Sequence, residues 1–434
     1  MSAIGQKTRL RFLLSTPLMY GASESGVEFD AKLPRYIRIT DIRPDGTLDP
    51  DKAVSLPRNT ALPYLLTDRD ILLARSGATV GKAFLYRSDG DEACFAGYLI
   101  RARCDQRRML AEYLAYYLQS AGYWDFINSS ALQATIQNVS AELYKEILVT
   151  HPSVEQQKKV VAYLDEQTRK IDQLMNMRRR QMALLKEQRA AVIQEAVTRG
   201  LNPNTPMKDS GLPWLGEIPA HWALKKLKSL CSTTKGFAFK SELFVDEGVP
   251  VIRASEIKEF SVVDCSTFIQ SEIALNYPQV TLRSGDILIS TVGSKAEILD
   301  SAVGQVGVVP PELDGALLNQ NTARLELTCP KEALQNFIFN ILRTDSFRKH
   351  LDVHAHGTAN QASLSLVDIL SFPAQLPPLD EQISIVEFIH CQCQRIDRNI
   401  EGYTRQLTLL TEYRASLIHE CVTGQRSVPE TVTA

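Results

Sequence analysis

The sequence predicts an α/β (α+β) chain with an internal repeat, in which two globular domains are joined by two long helices forming a coiled coil. Three observations predict it. Pro152 to Thr198 returns as Pro377 to Thr423 under a constant shift of 225, with about seventeen identities in roughly fifty positions. Each copy carries a seven-residue apolar stripe. The segments before the copies repeat more loosely: Val251-Ile-Arg-Ala-Ser255 matches Tyr36-Ile-Arg-Ile-Thr40, and Gly285 to Ser294 matches Arg69 to Ala78.

The stripe runs Val161, Leu164, Thr168, Ile171, Met175 and onward in the first copy. In the second it runs Val386, Ile389, Cys393, Ile396, Ile400 and onward. A helix of about 45 residues is roughly 65 Å long, too long to be buried within one domain. A narrow seam on such a rod needs a partner, and the other copy is the cheapest one. Two helices that each pack on their own domain are the alternative. Ser153 with Gln156 suits an N-terminal cap, Asp380 and Glu381 place negative charge in a first turn, and Gly200 and Gly424 mark the stops.

In chain order, residues 1–152 form a first domain and 153–200 the first spacer helix. Residues 201–377 are a linker plus a second domain, 378–424 the second spacer helix and 425–434 a tail. In the first domain, Arg35–Thr40, Asp70–Arg75 and Tyr98–Arg103 read as strands, and Leu56–Leu66 with its two prolines as loop. Leu110, Leu114, Tyr117 and Leu118 fall at helical spacing, and Ile147-Leu-Val149 leads into the first rod. The Pro- and Gly-punctuated segment 201–223 excludes a helix, while its two tryptophans, Leu215 and Ile218 predict that it packs down. Leu334, Phe337, Ile338, Ile341 and Leu342 repeat the amphipathic helix in the second domain.

The chain has 434 residues, 44% hydrophobic and 23% charged, with a formal charge of −2. That charge neither announces nor excludes a nucleic-acid binder, since a local basic face can act inside a neutral chain. Eight scattered cysteines without a C-x-x-C pair read as reduced thiols, with Cys393 on the seam. No apolar run of membrane-spanning length occurs and the N-terminus lacks a signal-peptide core, so a cytoplasmic protein is expected.

No active site assembles. Gly77-Ala-Thr-Val-Gly-Lys82 resembles a phosphate loop but has one residue too few between its glycines and Ala83 after the lysine. Asp246 with Glu256-Ile-Lys258 has the look of a metal nuclease at a spacing common by chance. His350, His354 and His356 lack supporting ligands, and a polar loop is the better reading. What remains is a binder with two unlike heads. Polar and basic residues near the short strands suit base edges and phosphates. They are Arg38, Thr40, Arg75, Ser76, Thr79, Lys82, Gln137 and Asn138 in the first domain. In the second they are Arg253, Ser255, Ser290, Thr291, Ser294, Lys295, Asn319 and Asn321. Ordinary solvated loops are the alternative for each.

The whole chain resembles the specificity subunit of a Type I restriction-modification system. The resemblance rests on Asp209-Ser-Gly-Leu-Pro-Trp-Leu-Gly-Glu-Ile-Pro-Ala-His-Trp222, Leu376-Pro-Pro-Leu-Asp-Glu-Gln382, Gly285–Ser290 and Asp70–Arg75. It implies two target recognition domains, each reading half of a bipartite, asymmetric DNA site, and two helices in an antiparallel coiled coil with pseudo-twofold symmetry. It also implies two methyltransferase subunits, motor-nuclease restriction subunits, and a methyl donor, ATP and Mg carried by those partners, with no cofactor or catalysis on this chain. The helix pair would act as a ruler that sets the spacer. A stand-alone metal nuclease and a structural adaptor are the competing readings. The first domain has no copy of the Trp-Leu-Gly-Glu-Ile-Pro segment, leaving open how the N-terminus docks. Arg189 and Arg414 occupy matching seam positions. In an antiparallel pair running end to end, Arg189 would lie near Glu387, and Arg414 near Asp165 or Glu166.

Overall fold

Short β-branched and aliphatic runs set the sheets, and the same order of strands is built twice. The computed structural model describes residues 5–43, 46–131, 138–263, 265–294, 303–358 and 361–429. The chain forms two compact units, Met1–Arg180 with Tyr403–Ala434, and Gln181–Gly402. Each long helix, Val154–Arg199 and Leu379–Val422, gives one half to each unit.

In the first unit, Met19–Tyr20, Leu99–Ala102, Ile71–Ala74 and Ala83–Leu85 form one antiparallel sheet in that order. A second sheet runs Val27–Glu28, Val54–Ser55, Arg35–Ile37, Ala93–Phe95, its last pair parallel. The expected strands at 35–40, 70–75 and 98–103 are present but shorter. Ile39–Asp41 tightens into a 3-10 turn, because the Asp41 carboxylate caps it by accepting from the Arg38 backbone N–H at 2.9 Å. The segment after Pro57 holds a single helical turn, Arg58–Ala61, within the expected loop. Helix Ala111–Tyr117 fits the expected spacing, and helix Ala121–Ala131 follows it.

The second unit repeats this plan. Cys231–Lys235, Thr322–Leu327, Ile287–Ser290 and Val306–Val308 begin a six-stranded sheet. Phe244–Val245, Phe268–Ile269, Val249–Ile252 and Leu317–Leu318 form the four-stranded one, again ending in a parallel pair. Arg324 lies opposite Leu288 as Arg101 lies opposite Leu72. Each arginine, buried or nearly so, donates to a loop carbonyl, Thr281 O at 2.8 Å and Leu65 O at 3.5 Å. The linker packs down as a hairpin, Met207–Asp209 against Glu217–Pro219, with Ile218 and Trp222 buried.

The N-terminus docks without the linker's help. Strand Gln6–Arg9 pairs antiparallel with Leu148–His151, as Ala223–Lys226 pairs with Pro373–Leu376. The start of each rod is then clamped identically. Gln157, fully buried, accepts from the Leu110 N–H at 2.9 Å and donates to Arg108 O and Pro152 O at 3.0 Å each. Gln382, equally buried, accepts from the Leu334 N–H at 2.9 Å and donates to Glu332 O at 2.8 Å and Pro377 O at 2.9 Å. A buried amide with every polar atom matched fixes direction as well as position, since each unmet group would cost about 1–3 kcal/mol.

Within each unit the half-helices run antiparallel. In the first, Asp172 meets Arg414 at 3.1 Å and Arg178 stacks on the Tyr403 ring at 5.0 Å. In the second, Arg189 meets Asp397 at 2.9 Å, while Gly200 lies beside Glu381. The two ion pairs are one pair under the 225-residue shift. Their partners differ from the end-to-end expectation of Glu387 for Arg189 and Asp165 or Glu166 for Arg414. Asp165 accepts the Tyr116 hydroxyl at 2.7 Å, and Glu166 pairs with Lys170 within its own helix. The first turns of each rod are engaged by the glutamine clamp, which slides the pairing inward by about two to three turns.

Candidate nucleic-acid interface

The two units share a backbone frame at the end of their central strands and hang different side chains on it. In the first unit, Ile71–Ala74 delivers Arg75. The Arg75 N–H donates to Tyr98 O at 3.1 Å and its carbonyl accepts from Val139 N at 2.8 Å. In the second, the Thr291 N–H donates to Asn321 O at 2.8 Å and its carbonyl accepts from Leu364 N at 2.9 Å. Strand register makes Tyr20 the counterpart of Lys235. The bridge between Ser76 and Asn138 is the counterpart of the pairing of Val292 with Ser363. Gly21 and Gly236 follow Tyr20 and Lys235 because the backbones touch there. An added Cβ would lie 2.3 Å from Phe95 O in one case and 1.9 Å from Asn319 O in the other.

In the first unit the site gathers Arg75, Ser76 and Asn138, three of the expected residues. The Arg75 guanidinium lies 4.8 Å over the Tyr20 ring, and its Nε is 3.5 Å from Asn138 Oδ1. Tyr20 is itself pinned, its hydroxyl accepting from Ala141 N at 2.9 Å. Tyr98 stands 67% exposed beside them. Below, the buried Tyr144 hydroxyl donates to Ala74 O at 2.7 Å; burial pushes its pKa up to about 12, so it stays a neutral donor. A planar, half-buried cation held on an aromatic face suits the edge of a base or a phosphate. Thr79 ends the Gly77–Thr79 turn, and Lys82 follows with its backbone N–H on Thr79 O. This glycine-rich stretch is a turn for packing. Gly77 and Gly81 have positive φ, and a Cβ at Gly81 would strike Ile127 and Trp124. Gln137 lies outside the described residues.

Arg38 and Thr40 form a separate group around Asp41. The Arg38 Nε and Nη2 donate to Asp41 Oδ1 at 3.1 and 2.9 Å, and Thr40 Oγ1 donates to it at 3.1 Å. Arg253 repeats the arrangement on Glu256 at 3.1 and 2.9 Å, with Ser255 in the same turn. Both guanidiniums therefore fold their own turns. Glu256, nearly buried in this pair, is engaged and does not stand as a free metal-nuclease carboxylate.

In the second unit the frame gathers Thr291, Asn319 and Asn321. The Asn319 N–H donates to Ile252 O at 3.0 Å, and Phe237 bridges Asn319. Phe237, 39% exposed, packs with Phe239 and Tyr277 at centroid distances of 5.1 and 4.8 Å. Ser290 is fully buried with its Oγ accepting from Gln305 N, and Thr291 is also buried, so their hydroxyls face inward. Ser294 follows the strand Val292–Gly293; Lys295 lies outside the described residues. Sequence reasoning missed Tyr20, Tyr98, Lys235, Phe237 and Ser363. The glycine after Tyr20 and Lys235 was the available signal.

Among the described residues no group of three His, Cys, Asp or Glu is placed to hold a metal. His350 Nε2 lies 2.9 Å from Asp368 O and His354 Nδ1 2.8 Å from His350 O, so these rings serve the local fold. Nor is any described helix long and apolar enough to cross a membrane.

The family described as Type I restriction modification DNA specificity domain matches residues 219–402. The MjaVIII specificity subunit of Methanocaldococcus jannaschii, a Type I restriction enzyme component, is 24% identical over 366 residues, covering 83% of this chain and 80% of its own. The EcoKI specificity subunit of Escherichia coli K12 is 24% identical over 403 residues, covering 88% and 81%. The chain is thus similar, along most of its length, to specificity subunits of Type I restriction enzymes. A chain solved in work on complex assembly and conformational transition of the type I R-M system shares the fold, with a TM-score of 0.71, 15% identity, and coverage of 97% and 98%. The specificity-subunit fold is thus two mixed α/β domains joined by paired long helices. It accounts for the clamps, because both rods must start from matching seats.

Proposed function

We propose that this chain reads DNA sequence for a Type I restriction-modification complex, each domain reading one half of a bipartite, asymmetric site. The observation that carries this is the shared frame with unlike side chains: Tyr98 and Asn138 in one unit stand where Asn321 and Ser363 stand in the other, and Arg75 is replaced by the buried Thr291. A common scaffold presenting different donors and acceptors suits two different half-sites. The paired helices act as a ruler for the unread spacer, with half-sites about one helical turn, roughly 34 Å, apart. Two methyltransferase subunits supply the methyl donor and the chemistry, and restriction subunits bring ATP and Mg for cleavage. The chain itself is non-catalytic and cytoplasmic in this reading.

The test is reconstitution with methyltransferase subunits, followed by mapping of methylated DNA. A bipartite site with unlike halves is expected. A continuous or palindromic site, or cleavage by the purified chain alone with Mg²⁺, would overturn the reading. Inserting two heptads at matched points of the rods should lengthen the spacer and leave both half-site sequences intact.

A further inference from the structure

The two units keep matching seats for their rods, but among the described residues a tryptophan fills only one of them. In the second unit the seat holds Trp222, which is 1% exposed. Its indole N–H donates to Glu381 Oε2 at 3.1 Å, and the same oxygen lies 2.8 Å from His221 Nε2. The ring packs against Gly200 at the end of the first rod, where a Cβ would lie 3.3 Å from the indole Cζ2. Strand register locates the counterpart. Gln6 lies opposite His151 as Ala223 lies opposite Leu376, so Gly5 stands where Trp222 stands.

A cavity of about 460 Å³ opens there, lined by Gly5, Thr150, Gln156, Val160, Cys421 and Val422 among others. Under the repeat these replace Trp222, Gln375, Glu381, Ile385, Ala196 and Val197. The floor is apolar and buried, with Val160, Cys421 and Val422 at 8, 3 and 1% exposure. The tail, Gly424–Val428, also walls the cavity and Val428 packs on the same core, but no described tryptophan stands there. Gly5 cannot supply one without moving its strand, because an added Cβ would lie 3.1 Å from the His151 carbonyl carbon.

We propose that this cavity is a socket for a tryptophan side chain on a segment of a partner protein, seated as Trp222 is seated in the second unit. The chain's own 209–222 segment defines the size and chemistry of the occupant. Val160 and Val422 take the ring faces, and the Gln156 amide oxygen accepts the indole N–H. Gln156 is neutral where Glu381 is charged, so the partner segment needs the indole but no cationic neighbour. Naming the partner as a methyltransferase subunit rests on the function proposed above; the socket itself does not.

The test uses a fluorescently labelled peptide of residues 209–222, titrated against the full chain by fluorescence anisotropy. Saturable binding is expected, weakened tenfold or more by Trp222→Ala in the peptide and abolished by Val160→Trp in the chain. Gln156→Glu in the chain, which changes no packing volume, should tighten binding several-fold by giving the peptide's His221 and Trp222 a shared carboxylate. It also reports on the socket if Val160→Trp does not fold. Excess peptide should displace the methyltransferase subunit from the reconstituted complex. Absence of binding, indifference to Trp222→Ala or to Gln156→Glu, or a crystal structure with residues 1–4 or 430–434 or a second copy in the cavity would overturn the socket. Retention of the partner at peptide saturation would overturn its assignment. Loss of DNA specificity with intact peptide binding would count against the proposed function alone.

Discussion

Replacing Gln157 with leucine tests the clamp that starts the first rod. Leucine has nearly the volume of glutamine, so the cavity cost is small. The substitution orphans the Leu110 N–H and removes donors from Arg108 O and Pro152 O, three bonds of 2.9–3.0 Å at a fully buried site. The orphaned N–H costs about 1–3 kcal/mol and each lost carbonyl bond about 1 kcal/mol, so a loss of about 3–5 kcal/mol is expected. With two units a single melting temperature is a poor readout. Hydrogen exchange resolved by peptide is the suitable assay. Protection around Leu110 should fall in Gln157→Leu while that around Leu334 holds, and Gln382→Leu should give the reverse. A loss below about 1 kcal/mol, or equal loss around both amides, would refute the view that each glutamine independently seats its own rod.

Three further outcomes follow from the geometry. Arg75→Ala should relax recognition of one half-site by about 1–3 kcal/mol, or roughly 5- to 150-fold, and leave the other half-site unchanged, as read by methylation of variant targets. Exposed Cys391 should react first with a disulfide reagent at pH 8. Burial pushes the Cys94 and Cys104 thiols up to about 12 and Cys231 and Cys421 up to about 11, so these four should react only on unfolding, which mass mapping checks. Burial also lowers the His350 pKa below its ordinary 6.5, so the unfolded chain binds the extra proton. Stability of the second unit should therefore be flat above pH 6.5 and fall below it, and His350→Asn should flatten that fall in urea titrations.

The rods were legible because coiled-coil periodicity and a duplicated sequence are local, redundant signals. Their register was not. An apolar stripe is nearly invariant to a slide of one heptad, so it left Arg189 with Glu387 as reasonable a pair as Arg189 with Asp397. What decides is Gln157 and Gln382, whose identity under the shift was visible but whose buried bonds to residues 108–110 and 332–334 depend on the folded domains. The site was half legible for a related reason. Arg75, Ser76 and Asn138 advertise themselves as polar residues at a strand end. Tyr20 and Tyr98 look like core aromatics until the sheet places them beside Arg75, and Ser290 looks like a surface hydroxyl until the next strand buries it.

The repeat also explains why its halves diverged unevenly. Residues that seat a rod answer to the same geometry twice, so Gln157 and Gln382, and the Arg189–Asp397 and Arg414–Asp172 pairs, are the same residues in the same roles. The turn arginines Arg38 and Arg253 likewise keep their bonds although the acid changes from Asp41 to Glu256, because the capping bond needs a carboxylate and tolerates either length. Side chains beyond that frame are released from the constraint. Arg75 and Thr291 have the same backbone bonds and nothing else in common. In the function proposed above, a frame that fixes backbone position while varying the exposed side chains is what would let one fold read two different half-sites, and it predicts that exchanging the residues at 138 and 363, both exposed, alters the half-sites without unseating either rod.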